Sequence, residues 1–240
     1  MQPPVRIPSA SDARIIGALY LASLPLGCVR AVYLQFTLRL GGHDATVVAG
    51  RIVDNEMLFR LGMLADIATG VLIVFAVLAM YRLLSQLSTR AYLLLAALLV
   101  PLLLYFFNVI NDFAALLLAG GEGPMAAIPA AERHDLMAFF LRLHFQTKEA
   151  ARLLWGFFWI VPLGLIAYRT RFLPRVLSAA LVINGIAVIV NSVVWFVLPL
   201  ADANRLFFTI WPLFLGEVAL MLWLLIRGLP RANKLRLETA

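Results

Sequence analysis

Seven residues that can hold charge or donate and accept hydrogen bonds interrupt apolar stretches of this chain: Arg60, Asp66, Asn111, Asp112, Arg152, Asn191 and Glu217. An ionised side chain at a bilayer centre costs about 2.5–3.5 kcal/mol on insertion scales, so each needs a partner or a purpose. Glu217 and Asp66 are carboxyls able to hold a cation or carry a proton. Arg60 and Arg152 can act as counter-charges or anion anchors, and Asn111 and Asn191 can orient a ligand through hydrogen bonds. Helical rise places Glu217 about 15 Å beyond Phe207, near mid-depth, and Asp66 roughly 13 Å into its own run. Asn184 and Asn191 are seven apart and share one helix face.

Other chemistries find less support. His134 and His144, near Glu132 and Asp135, are ten apart, which is not an i,i+4 ligand pair, so they read as solvated loop residues and no metal is expected. The chain has no HExxH, no GxSxG, no phosphate-cradling glycine loop and no Cys/His pair, so no catalytic residue is assigned and the cofactor stays unknown. Cys28 is the single cysteine, which excludes an intrachain disulfide.

The elements that must position these side chains follow from composition. Of 240 residues, 63% are hydrophobic and only 14% charged, with a mean hydropathy of +0.93. A chain this apolar cannot cover itself with polar surface in water, so it belongs in lipid. The net charge of +7 does not point to nucleic acid, because the basic residues sit at the ends of apolar runs, where they set topology.

Residues 155–198 fix the frame: an apolar run, a turn carrying Arg169, Arg171 and Arg175 without an acid, then a second apolar run. Each run can cross a core of about 30 Å, and the basic turn belongs on the cytoplasmic side. Counting outward predicts an all-α polytopic membrane bundle of six transmembrane helices with both termini cytoplasmic. The chain reads as a single domain over 1–240, with spans near 15–38, 57–81, 91–118, 148–168, 176–198 and 207–226. Pro25 and Pro101 are expected kink points. Leu26-Gly27-Cys28 hints at a lipoprotein cleavage site, but Pro25 disfavours it and the first run reads as an uncleaved helix. Arg6, Arg14, Arg82, Arg90, Arg227, Arg231, Lys234 and Arg236 fall on the inner side of this scheme with the basic turn. Residues 119–130 read as an outer loop, and Leu136–Phe145 either lies at the outer interface or extends span four.

Three stretches resemble a known family: FRLG at 59–62, GFFWIVPLGLIAYRTRFLPRVLSAALVINGIAVIVN at 156–191, and LGEVALMLWLLIRG at 215–228. They are similar to bacterial six-span membrane proteins classed as a domain of unknown function, family 4386. Residues matching Arg60, the RFLPR turn and Glu217 recur in that pattern. The resemblance implies fold and membrane location, and brings no activity, substrate or cofactor.

Nearly all the intramembrane polar residues fall in the outer half of the predicted bundle. The first reading is therefore an outward-facing polar pocket, lined by Arg60, Asp66, Asp112, Arg152, Asn191 and Glu217, that binds or transports a small molecule, lipid or proton. The second is an accessory or structural subunit whose acids and arginines pair only to fix helix packing. The partners expected are the lipid bilayer of a bacterial inner membrane and a small-molecule or lipid ligand. Nucleic acid is not expected, and oligomeric state is not legible.

Overall fold

The computed structural model describes residues 10–85, 91–198, 206–207 and 209–228, and every element among them is helical. In chain order these are α1 (Ala10–Cys28), a π-helical segment (Val29–Leu34), α2 (Gln35–Thr37), α3 (Ala45–Asp54), α4 (Glu56–Leu84), α5 (Ala91–Phe107) and α6 (Val109–Gly120). A 3-10 turn (Gly123–Ala127) leads to α7 (Ala130–Trp155), a second π-helical segment (Gly156–Ile160), α8 (Val161–Thr170), α9 (Arg175–Val197), a 3-10 turn (Trp211–Phe214) and α10 (Leu215–Ile226).

Five helical stretches are long and apolar enough to cross a membrane: Ser11–Thr37, Glu56–Leu84, Leu94–Gly120, Ala130–Thr170 and Arg175–Val197. A shorter apolar helix covers Pro212–Ile226. This is a multi-pass membrane protein. Helices satisfy every backbone group internally, as an oil-like solvent requires. Their outward faces carry large apolar side chains, including Phe36, Phe75, Leu103 and Val176.

Local sequence explains most of the boundaries. Asp44 accepts from the backbone N–H groups of Thr46 and Val47 and so starts α3. This short helix buries Val48, Ala49 and Ile52. Gly121, in the left-handed region at φ 66°, ends α6 as a C-terminal glycine should. Leu136–Phe145 follows the second of its two expected courses and forms part of one long helix reaching Thr170. The α8–α9 turn holds Arg171 at φ 54° and buries Phe172 and Leu173. Pro174 directly precedes α9, where its missing donor costs nothing.

Two expectations are modified. Pro101 lies inside α5, and the helix is interrupted at Asn108, whose side-chain amide donates to the backbone carbonyl oxygen of His144 on α7. The last apolar run is not one α-helix from Phe207. Pro212 sits in a 3-10 turn, and Glu217 therefore occupies the first turn of α10. The expected basic residues Arg6, Arg90, Arg231, Lys234 and Arg236 lie outside the described residues.

The chain divides into two compact units. One comprises Ser23–Val71 and Pro101–Ala151, and its core gathers Leu34, Ile52, Phe59, Ala115, Leu116 and Met137. The other comprises Met1–Ala22, Leu72–Val100 and Arg152–Ala240. In that unit α10 lies close to two helices. A Cβ on Gly17 of α1 would stand 2.6 Å from the backbone nitrogen of Leu225, and one on Gly216 would stand 2.8 Å from the carbonyl oxygen of Ala180 on α9. Small residues at such positions let helix backbones approach, the usual device of membrane packing.

Candidate functional site

Each unit holds its own polar cluster. In the unit of Ser23–Val71 and Pro101–Ala151, the first π-helical segment presents Arg30 to Asp112 of α6. The guanidinium Nε donates to Asp112 Oδ2 at 2.7 Å and a terminal nitrogen donates to Oδ1 at 2.5 Å. Both side chains are buried, and the guanidinium also lies over the ring of Phe59. Asp112 Oδ1 is 3.2 Å from Nδ1 of His144 on α7. One turn further along α7, Lys148 donates to both carboxylate oxygens of Asp66 on α4, at 3.0 and 3.1 Å. Tyr105 of α5 donates to the same carboxylate at 3.0 Å. Asn111 donates to the side-chain oxygen of Asn108 at 2.9 Å.

Two acids and two bases thus cancel in one buried group. Asp66, Asp112 and His144 bring ligand atoms within 4.8 Å of one another, so their geometry could hold a metal ion. The cationic role is already filled there by Arg30 and Lys148, and a divalent ion would have to share the site with both. His144 is buried, which corrects its reading as a solvated loop residue. His134 is only partly buried and its Nδ1 meets the Thr46 hydroxyl at 3.2 Å.

The second cluster, in the other unit, is built around Glu217. Its backbone N–H, one of those a helix start leaves unsatisfied, donates to the side-chain oxygen of Asn184 on α9 at 2.8 Å. The close packing at Gly216 makes this reach possible. Its carboxylate accepts from the Tyr20 hydroxyl of α1 and from the indole N–H of Trp155 at 3.0 Å. The rings of Tyr20 and Trp155 meet edge to face at 6.5 Å, and Trp155 lies 5.6 Å from Trp159. Trp155 ends α7 where the second π-helical segment, which carries Trp159, begins. Segments of this kind displace side chains from the regular helical register and recur at functional sites. Glu217 is only partly buried, whereas Asn184 and Asn191 are almost fully buried. The side-chain nitrogen of Asn184 and both polar atoms of Asn191 have no hydrogen-bond partner among the described residues.

Of the seven residues singled out from sequence, Asp66 and Asp112 share the first cluster, with Asn111 at its edge. Glu217 centres the second, and Asn191 lies two turns along α9 from Asn184. Arg60 instead pairs with Glu56 of its own helix at 2.6 Å, with both side chains about half exposed. Arg152 is partly buried on α7. Sequence reasoning did not select Arg30, Lys148, Tyr105 or His144 for the first cluster, nor Tyr20 and Trp155 for the second. Arg30 carried a usable signal, being charged within an apolar run. The aromatic residues did not, since tyrosine and tryptophan also populate membrane interfaces.

No curated protein and no solved structure matches the chain. The family model described as Domain of unknown function (DUF4386) matches residues 15–228, nearly the whole chain with both clusters inside it, and the protein belongs to that family.

Proposed function

We propose that the chain crosses the bilayer six times, the segment ending in α10 being the sixth span, with both termini cytoplasmic in a bacterial inner membrane. The basic turn of Arg169, Arg171 and Arg175, with Arg82 and Arg227 at the ends of α4 and α10, supports that orientation. Its function is non-catalytic: the carboxyl of Glu217 binds a proton or a small positively charged ligand in a pocket opening toward the outer leaflet. One observation carries this reading. Among the described interactions, the Glu217 carboxylate is met only by neutral donors, Tyr20 and Trp155, while Asp66 and Asp112 each hold a cation of the chain. A carboxylate at membrane depth without a counter-charge strongly favours acquiring one.

A structural role suits the other cluster. The cancelled charges of Arg30, Asp66, Asp112 and Lys148 support a lock on helix packing, the accessory-subunit reading confined to that unit.

Difference infrared spectroscopy of the protein in lipid nanodiscs, across a pH series and with added cations, tests the binding role. A carboxyl signal that responds in the native chain and vanishes in a folded Glu217→Gln variant is the expected result. A response that persists in Glu217→Gln, or no carboxyl response in the native chain, overturns it.

A further inference from the structure

We propose that the ligand of the Glu217 site is a small organic ammonium ion that also carries an oxygen acceptor, the chemistry shared by a free amino alcohol and by a lipid headgroup built on one. This rests on the reading of Glu217 as a cation site and names the class of cation.

Three features combine in one unit. The first is the carboxylate of Glu217, partly exposed and contacted by neutral donors. The second is the contiguous set of aromatic rings beside it, Tyr20, Trp155 and Trp159. Aromatic faces attract ammonium groups through the ring quadrupole, most strongly where water is excluded, and cages of this composition recognise alkylated ammonium ions. The described cation–π contacts of the chain's own cations involve Phe59, Tyr105 and Trp223, so Trp155 and Trp159 are not already used that way among the described contacts. An inorganic ion such as sodium prefers a shell of oxygens, and aromatic walls supply few.

The third feature lies on α9. Asn184 bonds the Glu217 backbone through its side-chain oxygen, which leaves its amide N–H2 group beside Glu217, buried and without a partner among the described residues. Asn191, on the same face, is fully buried, with neither amide atom partnered among the described residues. Buried polar groups left unsatisfied are rare and call for water, an ion or a ligand. A bare proton on Glu217 would satisfy none of them. An oxygen attached close to an ammonium group would accept from Asn184, and Asn191 could meet a more distal polar atom.

The experiment uses the full chain in nanodiscs of phosphatidylglycerol, titrated with choline, ethanolamine, sodium chloride and n-propanol, with tryptophan fluorescence as the readout. A saturable change with choline or ethanolamine, absent with sodium and propanol, is expected. Glu217→Gln and Trp155→Phe should each weaken it at least about tenfold, the scale of a desolvated cation–π or charge contact. Trp155→Phe keeps a ring in place and serves if Glu217→Gln fails to fold. Loss of the free-amine response when phosphatidylethanolamine is included identifies the headgroup as the source, and an unchanged response identifies the free amino alcohol. A proton or sodium response at Glu217 without an ammonium response overturns the ammonium assignment and leaves the cation site standing. Silence toward every probe, with no carboxyl response in the infrared, removes both. An ammonium response unchanged in both variants places the binding elsewhere and also overturns the assignment.

Discussion

Arg30 and Asp112 form a two-pronged ion pair, Nε to Oδ2 at 2.7 Å and a terminal nitrogen to Oδ1 at 2.5 Å, between side chains that are 4% and 0% exposed. The parallel bonds match the planar guanidinium to the carboxylate, the arrangement that makes arginine pairs directional. Removing one partner strands the other charge in a low-dielectric setting. Asp112→Asn is therefore expected to lower stability by about 3–5 kcal/mol. The double change Arg30→Met with Asp112→Leu should restore most of that, because an apolar pair needs no compensation. Thermal unfolding in detergent decides the matter, and a double variant no more stable than the single one would refute the role as a packing lock.

Asp66 is satisfied twice over, by Lys148 and by the hydroxyl of Tyr105. The two donors are unequal. Tyr105→Phe keeps the ring and deletes a single bond to a charged acceptor, an expected loss of about 1.5–3 kcal/mol. Lys148→Met should cost more, since it removes the cation in direct contact with the carboxylate. The order of the two melting temperatures is the measurement, and the reverse order would show that the lysine contributes little.

The sequence-level reading found the acids and missed their bases, for a physical reason. Asp66, Asp112 and Glu217 are recognisable because a carboxyl within an apolar run is expensive wherever it points. Arg30 and Lys148 lie 82 residues from the acids they meet, and no local spacing encodes so distant a pairing. Lys148 also begins an apolar run, where a snorkelling lysine is ordinary. Tyr20, Tyr105 and Trp155 are amphipathic, so an interfacial belt and a buried hydrogen bond look alike in sequence. The long apolar helices themselves were legible, since runs of this length and composition have few alternatives. The break at Asn108 was not, and the contact made there, with the backbone of His144 on another helix, is one that no local spacing encodes.

Arg60 illustrates the opposite outcome. The cost of a charge in an apolar run marks it as a site residue, yet its guanidinium meets Glu56 one turn away with both side chains about half exposed. Pairs of that kind contribute about 0.3–0.5 kcal/mol in water and are screened by salt. Arg60→Ala is accordingly expected to shift the melting temperature by a degree or two at most and to leave the Glu217 infrared signal unchanged. A large loss of stability would mean that Arg60 has a partner beyond Glu56.

The closeness of α1 and α10 places the Tyr20 hydroxyl on Glu217, and Gly17 is what permits it. A methyl group there would stand 2.6 Å from the backbone nitrogen of Leu225 and 2.7 Å from the carbonyl oxygen of Met221. Neither atom can rotate away, so the helices must separate. Overpacking of this kind costs about 1–3 kcal/mol. Gly17→Ala should therefore destabilise the chain and, because Tyr20 follows one turn later, loosen the contact that Glu217 shares with Trp155. Gly50 on α3 is the control, exposed and with nothing within 4 Å of a built Cβ. Gly50→Ala should stabilise by about 0.5–1 kcal/mol through helix propensity alone. Melting curves report both changes, and a shift of the tryptophan emission in Gly17→Ala but not in Gly50→Ala would tie the helix crossing to the geometry of the site. Equal behaviour of the two variants would show that the crossing at Gly17 does not hold the site together.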